Sequence, residues 1–488
     1  MLSRCARSAS RSLPQTARKP RRALSTTASP SSPTFTSARR QSAWAAATES
    51  AHSVLTPPSA PSSSTTTSLD DPLSAINAEI GDLKSSLWRM LGSSNSSLDT
   101  VAKYYFQAEG KHLRPLLVLL MAQATNGLGG RGWEEAQMGS RGRSMDDSLT
   151  AEGGVLNDWN PEVYGPEPTD GLSSMVFADP FRIPESPIGT LGKLSPPPPV
   201  IPSPFDSNLS NSAGEPPILP TQRRLASVTE MIHVASLLHD DVIDASDLRR
   251  GAPSAPSAFG NKLSILSGDF LLGRASVALA RLGSSEVVEL LATVIANLIE
   301  GEVMQLRATS EPERAPTQKG FEDYMRKTYL KTASLMAKSA RAAAILGGCG
   351  GGVDKEGEWV KDVAYGYGRN LGIAFQLIDD ALDFLPPDPT LGKPSLGADL
   401  RLGLATAPAL FAWEKHPDLG PLILRKFSEP GDVEIAREIV GKSDGLERTV
   451  DLARKFAGEA RGLVEKLPQS GARDALVQLT VKVVERVK

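Results

Sequence analysis

An all-α bundle of antiparallel helices is the fold class this sequence predicts, on three observations. From Gln222 onward, long segments rich in Ala, Leu, Val, Glu, Lys and Arg alternate with short Gly- or Pro-marked breaks. No period-two apolar runs bounded by hairpin dipeptides interrupt them. Upstream, Leu73, Ile76, Ile80, Leu83 and Leu87 recur at helical spacing, and Leu116, Leu117, Leu119, Leu120 and Met121 follow Pro115 as a second apolar helix.

The joints of the bundle are predicted at Gly251–Pro256, Gly283, Glu311–Pro316, Gly347–Gly352, Pro386–Pro389, Pro417, Pro430–Gly431 and Pro468. Short joints place consecutive helices antiparallel. Residues 127–220 break the pattern with Gly-Gly, a run of prolines and scattered Ser and Asp. Such a composition cannot bury a core, so the segment is expected to be a low-complexity insertion. The helix near residue 116 and the helix starting near Gln222 then become neighbours in one interrupted domain spanning 71–488.

The N-terminus differs from the rest. Met1 to Thr48 contain no acidic residue, while Arg4, Arg7, Arg11, Arg18, Lys19, Arg21 and Arg22 stand among Ser, Ala and Leu. Basic, hydroxyl-rich and acid-free composition predicts a mitochondrial transit peptide over residues 1–25. Residues 26–70, rich in Ser, Thr, Pro and Ala, read as a disordered spacer. No run approaches the roughly 18 apolar residues of a membrane span, so a soluble or membrane-peripheral protein is expected.

Charge and cysteine usage exclude other classes. The formal net charge of the 488 residues is -3, which gives no basic field for nucleic acid. Two cysteines, Cys5 and Cys349, allow neither a disulfide framework nor a cysteine zinc site. Cys349 among glycines reads as an inert small residue.

Chemistry enters with Asp240-Asp241-Val242-Ile243-Asp244 at the end of an apolar helix. Residues four apart share a helix face, so Asp240 and Asp244 point the same way with Asp241 beside them. Clustered carboxylates repel, and a cation relieves the penalty. An oxygen-only ligand set without His or Cys suits Mg²⁺. Asp379-Asp380-Ala381-Leu382-Asp383 repeats the pattern, again after apolar residues. One such triad could be a solvated helix end. Two could hold several Mg²⁺ ions around a very negative ligand such as a diphosphate. Lys111 and Arg114 open a helix, Arg249 and Arg250 follow the first cluster, Lys331 and Thr332 lie within a helix, and Lys393 follows the second cluster.

These motifs in this order resemble the trans-isoprenyl diphosphate synthase family. The resemblance rests on Gly110-Lys111-x-x-Arg114-Pro115, both Asp-Asp-x-x-Asp motifs, Arg249-Arg250-Gly251, Gly268-Asp269, Lys331-Thr332, Gln376 and Gly392-Lys393-Pro394. Within the family it is closest to the mitochondrial long-chain synthases of ubiquinone synthesis, through Met231-Ile232-His233-Val234-Ala235-Ser236-Leu237-Leu238-His239 and Gly403-Leu404-Ala405-Thr406-Ala407-Pro408.

The resemblance implies an isoprenoid synthase type helical bundle with a central cavity. It also implies sequential condensation of isopentenyl diphosphate onto an allylic diphosphate, farnesyl or geranylgeranyl diphosphate. It assigns Asp240, Asp244 and Asp379 to Mg²⁺, with Asp241, Asp380 and Asp383 supporting. It gives Lys111, Arg114, His233 and Arg250 to isopentenyl diphosphate. Arg249, Lys331, Thr332, Gln376 and Lys393 go to the allylic diphosphate. Without the resemblance, His233 would read as a core histidine.

One position departs. Leu404 stands where shorter-chain relatives often carry another lysine near the diphosphate, so phosphate binding is not assigned there. Ser236 and Ala235, about one turn before Asp240, are small where short-chain relatives carry bulky aromatics, and Ile232 lies beyond them. A product of hexaprenyl length or longer is therefore expected. The resemblance further implies a homodimer, or a heteromer with a related subunit, in the mitochondrial matrix or at the inner membrane. Two other classes remain open on sequence: a terpene cyclase, which would turn over an allylic diphosphate without isopentenyl diphosphate, and a non-catalytic subunit of a heteromeric synthase, which would typically have lost acidic-motif residues.

Overall fold

The computed structural model describes residues 83, 87, 90, 91, 96–107, 112–140, 216–249, 252–310, 314–351, 355–385 and 397–486. Lys111, Arg250 and Lys393 lie outside the described residues, as do the expected transit peptide and spacer and residues 141–215.

The architecture is all-α. In chain order come α1 (Ser96–Gln107), α2 (Leu113–Thr125), α3 (Arg131–Ser140), α4 (Pro220–Ile243), α5 (Ala255–Phe259), α6 (Asn261–Ala280), α7 (Ser285–Ser310) and α8 (Gln318–Thr328). A π-helical turn at Tyr329–Ala333 leads into α9 (Ser334–Leu346). Then follow α10 (Glu358–Leu382), α11 (Ala398–Arg401), α12 (Ala407–Trp413), α13 (Leu419–Leu424), α14 (Asp432–Lys442), α15 (Gly445–Val464) and α16 (Gly471–Glu485). Among the described residues the one departure from helix is a two-residue ribbon, with Leu248 opposite Pro253 and Arg249 opposite Ala252. It overlaps the start of the break expected at 251–256, and α5 begins before that break ends.

Local chemistry sets the boundaries. Pro220 opens α4, and the Gln222 side chain accepts from the Leu219 amide at 2.9 Å. Thr317 and Ser470 cap α8 and α16 by accepting from Gly320 and Arg473 amides. Gly357, at φ 71°, turns the chain into α10 in a conformation that favours glycine.

The bundle centres on α4, α9 and α10. Helix α10 packs on α9 and α15, while α4 packs on α6 and α2. Leu117, Leu119, Leu225, Met231, Ile232, Leu371, Leu377 and Ile378 are almost wholly removed from solvent. A second, smaller core of Phe384, Leu400, Ala412, Trp413 and Leu419 lies under α11–α14.

The ends of the interrupted domain are clasped. Asn126, just past α2, donates to the Pro217 carbonyl and to Gln222, both at 2.9 Å. Gln222 donates back to Asn126 at 2.7 Å and to the Ala343 carbonyl on α9 at 3.0 Å. Both amides are buried and mutually satisfied.

Two expectations need adjustment. Helix α3 lies inside 127–220, so regular structure continues to Ser140. It is docked by glycine on glycine: a Cβ on Gly132 would stand 2.2 Å from the Gly348 carbonyl oxygen. Helix α6 is long and apolar enough, by length and composition, to cross a membrane, contrary to the expectation that no segment would be. Lys262, Asp269 and Arg274 interrupt it, and Ser264, Gly268, Leu271 and Ala275 are buried on its inner side.

Replacing Gln222 by Ala leaves the buried Asn126 amide without its partner. The expected loss is about 2–3 kcal/mol, read as a lower urea midpoint with an unchanged m-value.

Candidate active site

The first acidic cluster closes α4, and its carboxylates face two ways. Asp241 is inward and buried. Arg249 grips it through Nε at 2.9 and 2.8 Å and through Nη2 at 2.6 Å, and the Tyr105 hydroxyl donates to its other oxygen. That hydroxyl in turn accepts from the Ala255 amide at 2.7 Å. The ribbon after α4 thus places Arg249 back over the cluster, and Asp241 is fully neutralised within the protein.

Asp240 and Asp244 are different. Among the described residues neither carboxylate takes a hydrogen bond or an ion pair. Burial pushes Asp240 up to about 7, reinforced by Glu302 and Asp244 and opposed by Lys331. Burial raises Asp244 likewise. Two half-buried carboxylates on one helix face are therefore short of positive charge.

The second cluster shows the same division. Asp380 is buried at the end of α10, where the Tyr324 hydroxyl donates to one oxygen and Gln376 Nε2 to the other at 2.8 Å. Its pKa is raised by burial. Asp383 is buried and caps α11, accepting from the Ala398 and Asp399 amides at 3.1 Å each. Asp379 alone turns to the surface of the cluster, where Arg486 Nη1 lies 2.9 Å away. The Arg486 guanidinium also sits 4.8 Å from the Phe375 ring centre.

The π turn connects the clusters. Lys331 pairs with Glu302 and donates to Gln305 at 3.1 Å. Its Cγ approaches α7 so closely that a Cβ on Gly301 would stand 2.6 Å from it. Lys331 also lowers the pKa of both Asp240 and Asp244 through its field. The adjacent Thr332 hydroxyl donates to Gln376 at 2.8 Å, and Gln376 carries the chain of bonds to Asp380. The extra residue of a π turn, a feature frequent at functional sites, aims neighbouring side chains at both clusters.

Along α4, His233 Nε2 meets Arg114 Nη1 at 2.9 Å. Arginine only donates, so this nitrogen accepts. His112 Nδ1 lies 3.1 Å from Glu230 one turn earlier. Ala235 and Ile232 are fully buried, and Ser236 donates to the His233 carbonyl at 2.8 Å. Cys349 is buried, which pushes its thiol up to about 12 and makes it a poor nucleophile.

Comparison with known proteins identifies the arrangement. Residues 207–440 match the polyprenyl synthetase family. The probable mitochondrial hexaprenyl pyrophosphate synthase of Yarrowia lipolytica is 47% identical over 87% of this chain and 86% of its own. The chain belongs to the polyprenyl synthetase family. Decaprenyl-diphosphate synthase subunit 1 of Schizosaccharomyces pombe is 41% identical over 85% of this chain and 90% of its own. The polyprenyl synthase of Caulobacter crescentus, solved with calcium and isoprenyl diphosphate, superposes with a TM-score of 0.60 at 27% identity, covering 87% of this chain and 99% of that one. As a polyprenyl synthetase, the protein is a prenyltransferase with the isoprenoid synthase fold, and its family works with a divalent metal.

The donor set fits such a cation. Among the described residues no three His, Cys, Asp or Glu side chains gather into a complete metal cage. An ion held by one or two carboxylates, with the remaining positions filled by water and phosphate oxygens, is how Mg²⁺ is usually bound at phosphate sites. Asp240 and Asp244, uncompensated and oxygen-only, suit that role.

Motif reading did not single out Tyr105, Tyr324, Glu302, Gln305 or Arg486. Each lies far in sequence from the group it serves, and only Glu302, in a polar step of an otherwise apolar helix, leaves a local signal.

In metal-free buffer at pH 8, Asp240→Asn is expected to melt higher than the parent, because it removes a desolvated charge. The sign follows from the raised pKa: the folded state holds the Asp240 proton more tightly than the unfolded state. Parent stability therefore falls as pH rises from about 4 to about 7. Magnesium is expected to raise the melting temperature of the parent much more than that of Asp240→Asn.

Proposed function

We propose that this protein is a magnesium-dependent long-chain trans-polyprenyl diphosphate synthase that builds the side chain of ubiquinone. The observation that carries this reading is the π turn, with Lys331 in the field of one acidic cluster and Thr332 bonded toward the other. The named activities of the Yarrowia and fission-yeast relatives support the product class, and the mitochondrial location named for the Yarrowia relative supports the compartment. The acid-free N-terminal stretch supports import through residues 1–25.

In this reading Mg²⁺ held by Asp240, Asp244 and Asp379 supplies charge neutralisation for a departing diphosphate. Lys331, Thr332, Gln376 and Lys393 hold the allylic diphosphate in place. Arg114, His233, Lys111 and Arg250 hold isopentenyl diphosphate. Arg249, Asp241, Asp380 and Asp383 position the cluster from behind. The allylic carbon–oxygen bond breaks with its electron pair leaving on the diphosphate, and the allylic carbocation is attacked by the isopentenyl double bond. A proton then passes to the released diphosphate, leaving a trans double bond. No protein nucleophile takes part; orientation and exclusion of water carry the rate.

The lengthening tail runs down α4 past Ser236, Ala235 and Ile232. Exposed apolar side chains on α6, including Ile265 and Leu266, support pairing with a second copy or a related subunit.

The test is incubation of the whole chain with Mg²⁺, farnesyl diphosphate and labelled isopentenyl diphosphate, with products resolved by length. A dominant product of six or more isoprene units is expected. No elongation by folded protein, alone or with a partner subunit, overturns the reading. Asp240→Asn is expected to lower turnover about 10²-fold or more, the scale of a lost charge-stabilising group. Ala235→Phe is expected to shorten the product without abolishing turnover, and an unchanged length distribution overturns the tail path.

A further inference from the structure

Helix α8 carries a cation that the roles above do not use. Lys327 stands one turn before Lys331, three residues after the Tyr324 that donates to Asp380. Among the described residues its ammonium makes no hydrogen bond and no ion pair; Nζ lies over the Tyr324 ring, 5.2 Å from the ring centre. The charges around it belong to the site: Asp380, Asp399, Glu302 and Lys331 all act on it. Burial holds it below the ordinary lysine value, outweighing the opposing fields of Asp380, Asp399 and Glu302.

Lys327 also lines a cavity of about 640 Å³ bounded by the end of α7, by α8 and by the segment from Gly403 to Phe411. Leu404 lines the same cavity. Leu404 is the position left without a phosphate contact in the sequence, where a lysine would otherwise be expected. Arg307 and Arg326 line it too, but Lys327 is the lining cation one turn from Lys331, and among the described residues it has no hydrogen bond or ion pair.

We propose that Lys327 is a substrate-binding residue that contacts the diphosphate of the allylic substrate from α8, supplying the positive charge that Leu404 does not. This rests on the prenyl-transfer reading of the site. It makes α8, the π turn and α9 one continuous phosphate-facing element, with Lys327, Lys331 and Thr332 spaced along it. The Tyr324 ring faces the lysine ammonium, and the hydroxyl of that tyrosine holds Asp380, so substrate anion and acidic cluster share one neighbour.

The test is steady-state kinetics on the whole chain with Mg²⁺, varying farnesyl diphosphate and isopentenyl diphosphate separately. Lys327→Met is expected to raise KM for farnesyl diphosphate about tenfold or more, with KM for isopentenyl diphosphate moved less than about twofold. Adding Leu404→Lys to Lys327→Met is expected to recover most of the loss, and Lys327→Arg to retain most of the parent affinity. A structural role predicts otherwise: both KM values unmoved, or both raised together with no recovery from Leu404→Lys. Either result overturns the proposal while the parent still elongates. A parent that elongates nothing overturns the reading of the whole site, and this proposal with it. If Lys327→Met does not fold, Leu404→Lys alone decides. A second ammonium across the same anion is expected to make inorganic diphosphate a several-fold stronger inhibitor against farnesyl diphosphate, and an unchanged or weaker inhibition overturns the proposal.

Discussion

Crowding of carboxylates at the ends of two apolar helices is the constraint on which the rest of the site depends. Adjacent acids on α4 and on α10 cannot all face one space without strong mutual repulsion. The protein divides them. Asp241, Asp380 and Asp383 turn inward and are satisfied by Arg249 and Tyr105, by Tyr324 and Gln376, and by the amides that open α11. Asp240, Asp244 and Asp379 remain on the outer side. The inward group fixes helix ends, ribbon and short helix in place, and the outward group is thereby held ready for charges brought by ligands.

The period of the α-helix made half of this readable. Asp240 and Asp244 share a face because they are four apart, and the repeated pattern at 379–383 follows the same rule. What the middle acid does could not be read that way. The fate of Asp241 is decided by Tyr105, 136 residues earlier in the chain, and that of Asp380 by Tyr324, 56 residues earlier. Arg249 and Gln376 were legible as charged or polar neighbours of the clusters. The bond from Gln376 to Asp380 follows the same four-residue spacing within α10, whereas the grip of Arg249 on Asp241 depends on how the ribbon folds back and was not legible.

Helix boundaries show a similar split. Pro220, Gly283, Pro316 and Gly357 mark their joints through local chemistry. The π turn has no such mark in the sequence; at that turn Lys331 packs closely over Gly301 of α7. Helix α3 escaped notice because its residues are polar and flanked by glycines, and what holds it is the distant Gly348. The apolar content of α6 is spread around polar residues that face α4, so its total hydropathy was less visible than the concentrated run in α2.

The reciprocal amide clasp between Asn126 and Gln222 has a bearing on how this chain can vary. It ties Asn126, just past α2, to Gln222 in α4 and through Ala343 to α9. Two helices joined in this way keep their register whatever the length of sequence between them, since doubling a connection adds only about 0.6 kcal/mol of closure entropy. The interval between α3 and α4 is thus a place where sequence can be gained, lost or cut open into new chain ends at little thermodynamic penalty, while the helices that carry the chemistry stay aligned.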